Sequence, residues 1–137
     1  KKQLVQEAIE SAGGYVASNF EKGGDDPAEM IDRFARFYMR ALEESDFREG
    51  CPLMAAAVAG TKEEAAVPAA RAFSQIQESL TTSLVSSGVE KKRASSLATL
   101  AISAIEGAIV LSRAEKSTEP LDQTRRELHD IYAAALA

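Results

Sequence analysis

Few side chains in this sequence have the types and spacing that chemistry needs. There is one cysteine, Cys51, and one histidine, His129. Cys51 stands between Gly50 and Pro52 at the expected start of a helix, where aligned peptide dipoles can lower a thiol's pKa and make it a nucleophile. The same placement suits a small apolar side chain tucked under the proline turn. His129 would have to act as its base in a Cys–His pair, yet it falls on the polar side of the last helix. A closed zinc site needs about four Cys, His or carboxylate ligands, so a metal site built on soft ligands is excluded. Most carboxylates gather at helix ends (Asp25 and Asp26; Glu43, Glu44 and Asp46; Glu63 and Glu64), as solvated groups and dipole complements do. No acid, base and nucleophile can be assembled around a cavity. The expectation is no enzyme, no metal and no cofactor.

Glu106 is the exception among the carboxylates. It lies in Leu97–Leu111, where Thr99 and Ser103 are the other polar residues. At 3.6 residues per turn these three share one narrow stripe of an otherwise apolar helix. Burying an isolated charge is costly. Glu106 is therefore expected either to pair, across a dimer or with an arginine such as Arg113, or to serve as a polar anchor facing an internal cavity. The aromatic and Met residues Tyr15, Phe34, Phe37, Tyr38, Met54 and Phe73 carry the same ambiguity. They are either core or the lining of an apolar ligand pocket between helices, with Ile105 and Glu106 on its far wall.

The chain of 137 residues carries 16 basic and 21 acidic residues, a net charge of −5. That balance argues against this segment gripping nucleic acid, which takes clustered Lys and Arg. Lys91-Lys92-Arg93 reads as a solvated helix start. Gly13-Gly14 and Gly23-Gly24 lack the flanking strand of a phosphate-binding loop. No uninterrupted apolar run reaches the length of a membrane span. There is no signal-peptide pattern, and a single cysteine fits a reducing cytoplasm. Lys1 is not a Met, and helical periodicity is running by Leu4, so a preceding segment is expected.

The elements that must position these residues are all helical. Leu4, Val5, Ala8, Ile9, Ala12 and Val16 mark a first helix to about Phe20, closed by Lys22-Gly23-Gly24. Gly13-Gly14 inside it points to a kink or a close approach by a neighbour. Asp26-Pro27-Ala28-Glu29 is a capped start for a second helix to about Ser45. A short helix follows from Pro52 to about Val58. Thr61 to Glu64 has capping-box spacing, but Pro68 places the next start near Ala66, and Gly88 ends that helix. The last two helices run from about Glu90 to Ala114 and from Pro120 to Leu136. This makes a single all-α domain, residues 1–137, of about six helices.

The fifth helix is apolar on two flanks, one with Leu97, Leu100, Ala104 and Leu111, the other with Ala94, Ala98, Ala101, Ile102, Ile105 and Ile109. A helix apolar all round must be covered on nearly every side. One small core covers one flank, so the other is expected to meet a second copy of the chain.

Gly50-Cys51-Pro52-Leu53, Ala104-Ile105-Glu106-Gly107-Ala108 continuing to Leu111-Ser112-Arg113-Ala114, and Pro120-Leu121-Asp122 resemble, in their order and spacing, one known domain. It is the C-terminal domain of TetR-family transcriptional regulators, of the LmrA/YxaF-like subgroup. The likeness begins at Lys2-Gln3-Leu4-Val5 and covers essentially the whole chain. It implies a domain that binds a small, largely apolar effector and forms a homodimer through a four-helix bundle of its last two long helices. Operator DNA would be read by an N-terminal helix-turn-helix domain absent from this chain, typically in a repressor. The interface so implied comprises Leu97, Ala98, Ala101, Ala104, Ile105 and Ala108 with Leu121, Leu128 and Tyr132. A helical dimerisation or protein-interaction module without a ligand is the alternative.

Overall fold

Local signals in the sequence fix most helix boundaries. The computed structural model describes residues 2–21, 26–59 and 63–137. Its six helices are α1 (Lys2–Glu21), α2 (Pro27–Glu44), α3 (Pro52–Val58), α4 (Glu63–Ser86), α5 (Lys91–Glu115) and α6 (Glu119–Leu136). No strand occurs among the described residues. The carboxylate of Asp26 accepts the Ala28 N–H at 2.9 Å and so caps α2, with Pro27 at its first position. Glu90 caps α5 by accepting the Lys92 and Arg93 N–H groups at 2.9 and 3.0 Å. Gly88, at φ +99°, takes the left-handed turn after α4 that a side chain would resist. The expected stop at Lys22-Gly23-Gly24, with Asp25, and the capping start at Thr61 lie outside the described residues.

One start differs from expectation. α4 begins at Glu63, not near Ala66, so Pro68 lies in its second turn. There its ring nitrogen cannot donate to the Glu64 carbonyl, a loss of one helical hydrogen bond that packing must offset. Pro68 itself is buried.

α4 and α5 form the centre: α5 touches α2, α4 and α6, α4 also carries α1 and α3, and α2 lies chiefly against α6. Gly13 explains the α1–α4 crossing. A Cβ there would stand 2.8 Å from the Ala72 Cβ and 3.5 Å from Leu53 Cδ2, so only glycine allows this approach. Gly14 faces open space. The core is built from Ile31, Phe34, Tyr38 and Leu42 of α2, Ile76, Leu80 and Leu84 of α4, and the Ala/Ile flank of α5.

That flank corrects the expected dimer surface. Leu97, Ala98, Ala101, Ile105 and Ala108 are buried inside the protomer, as are Leu121, Leu128 and Tyr132 of α6. Most of their surface is already used inside the protomer. The small alanines instead let α5 approach its own neighbours closely, and the Tyr132 hydroxyl donates to the Leu97 carbonyl at 2.8 Å, tying α6 to α5. Ala104 alone of the set is partly exposed. The flank left uncovered carries Leu100, Val110 and Leu111, which are 45%, 48% and 55% exposed. By length and composition α5 is also apolar enough to cross a membrane, contrary to the expectation from its polar interruptions. Its buried flank makes it the core helix of this fold.

Candidate functional site

Three buried groups converge where α2 and α5 meet the turn that enters α3. Tyr38 is on α2, Cys51 is the residue before α3, and Glu106 is at mid-α5. The Tyr38 hydroxyl donates to Cys51 Sγ at 3.1 Å. Glu106 is 8% exposed, and neither of its carboxylate oxygens has a hydrogen-bond partner. Desolvation raises its pKa to about 7, and the neighbouring Cys51 thiol offsets this only in part. Burial also pushes the Cys51 thiol up to about 11, with the Glu106 charge adding to the shift, so Cys51 stays a thiol and is no nucleophile. Tyr38 is likewise driven upward by burial.

The expected ion pair between Glu106 and Arg113 does not form. Arg113 points into the α2–α3 loop, where its guanidinium donates to the Phe47 and Arg48 carbonyls at 3.4 and 2.8 Å. That loop needs holding, because Asp46 and Phe47 both adopt positive φ, at 53° and 58°, a region costly for residues with a Cβ. Gly50 completes the arrangement, since a Cβ there would lie 3.3 Å from the Arg113 side chain. The Gly50-Cys51-Pro52 motif therefore sets Cys51 against Glu106, with Arg113 as the brace. A second buried polar group of α5, the Ser112 hydroxyl, is also without a partner.

The aromatic residues named from sequence form a row leading to this cluster. Phe34 meets Tyr38 edge-on with ring centres 5.3 Å apart, Phe37 meets Tyr38 at 5.1 Å, and Tyr15 meets Phe37 at 5.7 Å. The row runs from Tyr15, exposed on α1, through half-buried Phe37 to the buried pair. Met54 is half-buried in the first turn of α3, and its backbone hydrogen-bonds the Cys51 sulfur. Phe73, on α4, packs against the core, and Ile105 is core itself. Tyr15, Phe34, Phe37 and Tyr38 thus form one row, with Met54 and Glu106 beside Cys51, while Phe34, Tyr38 and Ile105 are also part of the core. Cys51 is missing from the pocket lining expected from sequence. Its signal is the Gly-Cys-Pro motif, and its burial under the proline turn is one of the two placements that motif suggests.

His129 is exposed on α6 beside Asp130, 3.8 Å away, and takes no part. No group of three His, Cys, Asp or Glu residues able to hold a metal occurs among the described residues. On the opposite side of α5, a shallow apolar groove of about 290 Å³ lies between α5 and α6, lined by Leu100, Ala104, Leu128 and Ile131 among others.

The sequence pattern of the transcriptional regulator LmrA/YxaF-like C-terminal domain matches residues 27–127. Two proteins named uncharacterized HTH-type transcriptional regulators, from the CDC 1551 and H37Rv strains of Mycobacterium tuberculosis, are similar to the chain. Each is 36% identical over 143 residues, an alignment that covers 98% of this chain and 72% of the relative. The match spans α2 to α6, including the Cys51 turn and the Glu106 helix. These are regulators, not enzymes. The chain belongs to the LmrA/YxaF-like C-terminal domains of TetR-family transcriptional regulators.

Proposed function

We propose that this chain is the effector-binding and homodimerisation domain of a cytoplasmic TetR-family regulator, a repressor released from its operator by a small, largely apolar ligand. The observation that carries the reading is Glu106, a buried carboxyl with no partner at the head of an aromatic row. Buried polar groups are almost always satisfied, and an unsatisfied one calls for a functional explanation. Tyr15 puts α1 in that row, so a ligand parting the aromatics would move α1 relative to α2. A helix-turn-helix domain joined ahead of α1, of the kind the relatives' names indicate, would feel that movement as a change in half-site spacing. The expected coupling is about 1–3 kcal/mol.

Dimerisation is assigned to the uncovered flank of α5 with the facing side of α6, centred on Leu100, Ala104 and Leu111. Sedimentation at micromolar concentration should give a dimer. Leu100→Glu with Leu111→Glu should give a folded monomer, and a wild-type monomer would contradict the assignment. The effector site is tested by thermal shift across a panel of aromatic and amphiphilic small molecules, with native mass spectrometry of the purified chain. A hit should raise Tm and fail to do so in Glu106→Leu with the aromatic Phe37→Ala. A stable dimer without any hit would favour the ligand-free interaction module.

A further inference from the structure

We propose that the ligand of this site is an organic cation, an arylalkyl amine whose protonated nitrogen is taken by Glu106, an inference that rests on the effector-site reading above. Neither oxygen of Glu106 has a hydrogen-bond partner, and the neighbouring Cys51 thiol offsets the cost of burying the carboxylate only in part. Tyr38 already gives its proton to Cys51 Sγ, and Cys51 is a weak donor. Arg113, the nearest cation along the helix, is committed to the Phe47 and Arg48 carbonyls. A cationic ligand would supply the strong donor that none of these groups gives the ionised carboxylate. An ammonium N–H satisfies a carboxylate with a charge-assisted hydrogen bond, stronger than any neutral donor offers. An anion would be repelled, and a neutral apolar molecule would leave the oxygens as they are.

The body of the ligand follows from the aromatic row. Tyr15, Phe37 and Phe34 lead to Tyr38, whose hydroxyl bonds Cys51 Sγ and feels the Glu106 charge. An aryl group inserted along them gains stacking, and a cation near ring faces gains a further attraction. The carboxyl is sealed in the present arrangement, so entry requires α1 to move away from α2 at Tyr15. That movement is also the one the regulatory mechanism needs.

Binding a cation to an ionised Glu106 has a proton consequence. Below the carboxyl's pKa, near 7, the amine must displace a proton and binds more weakly with each unit of acidification. Above it, affinity levels off. Tyr38 and Cys51, the other titratable groups of the cluster, stay protonated throughout this range.

The test compares naphthylmethylamine with naphthylmethanol, equal in shape and different in charge, by calorimetry on the wild-type chain and on Glu106→Gln. The amine is expected to bind at least about tenfold more tightly at pH about 8, to lose that preference toward pH about 6, and to release protons on binding. Glu106→Gln should erase the preference for the amine over the alcohol and its pH dependence. Equal affinities for amine and alcohol, or no proton release by the wild-type chain, would overturn the cation assignment and leave a neutral-effector site standing. Failure of both compounds, together with a silent ligand panel, would instead defeat the effector-site reading itself. The wild-type pH series decides the matter even if the Gln variant does not fold.

Discussion

Two carboxylates at the two ends of α2's neighbourhood are treated in opposite ways. Asp32 lies where α2 meets α6 and is gripped by Arg125, which also binds Asp122 at 2.8 Å, while Arg36 reaches Asp32 at 2.7 Å. Burial by itself would raise Asp32, but the arginine hydrogen bonds outweigh it and hold the carboxyl below the ordinary aspartate range. Glu106, more deeply buried, has no such partner and is raised. The first arrangement is a clasp that closes α6 onto α2. The second is a polar group without a structural use, placed between α2, α3 and α5. Carboxylates that serve the fold are satisfied within it, and one left unsatisfied marks where something else is meant to act.

The contrast predicts opposite responses to the same chemical change. Glu106→Gln should show the largest effect. In the wild-type chain the folded carboxyl holds its proton to about pH 7, whereas in the unfolded chain it is lost near the ordinary glutamate value. Between those two pH values the folded state binds more protons, so stability falls as pH rises. The Gln variant should lack that fall and be more stable at pH about 8 by on the order of 3 kcal/mol, read from urea unfolding at several pH values. Asp32→Asn should go the other way. It removes a paired charge whose stabilisation is present above the unfolded pKa and is lost as pH falls through the lowered folded value. A cost of about 1–2 kcal/mol at neutral pH, shrinking in acid, is expected for it and for Arg125→Met.

Smaller effects separate these two regions from ordinary packing. Gly13→Ala should cost about 1–3 kcal/mol by forcing α1 away from Ala72. Gly14→Ala, one residue on and facing open space, should stabilise by up to about 1 kcal/mol. Tyr132→Phe removes the hydroxyl's bond to Leu97 and should cost about 1 kcal/mol. Thermal or denaturant unfolding of the three variants checks all of these. If Gly13→Ala stabilised as Gly14→Ala does, the close α1–α4 crossing would be wrong.

Helix number and most boundaries were legible because caps act locally. Asp26-Pro27, Glu90 and Gly88 signal their roles without reference to the rest of the chain. The start of α4 was misplaced because Pro68 is tolerated in the second turn when its surroundings bury it. The orientation of α5 could not be read, since a helix apolar all round gives periodicity no contrast. Packing resolved it in favour of the alanine flank, which allows neighbours closest, and left the bulkier Leu100 and Leu111 outside. Leu97, Ala98, Ala101, Ile105, Ala108, Leu121, Leu128 and Tyr132, expected at a dimer surface, are buried within the protomer. Glu106 was recognised as anomalous from sequence. That Arg113 would not pair with it could not be read, because Arg113's role depends on the strained Asp46-Phe47 loop, a feature with no sequence period.

The most direct test of the account is a carbon NMR titration of the Glu106 carboxyl, with and without naphthylmethylamine. The account predicts a midpoint near pH 7 in the free chain, falling toward the ordinary glutamate range when the amine is bound. A free-chain midpoint already in that range would mean that Glu106 is satisfied in solution. In that case the distinction between the two carboxylates, and the site built on it, would not hold.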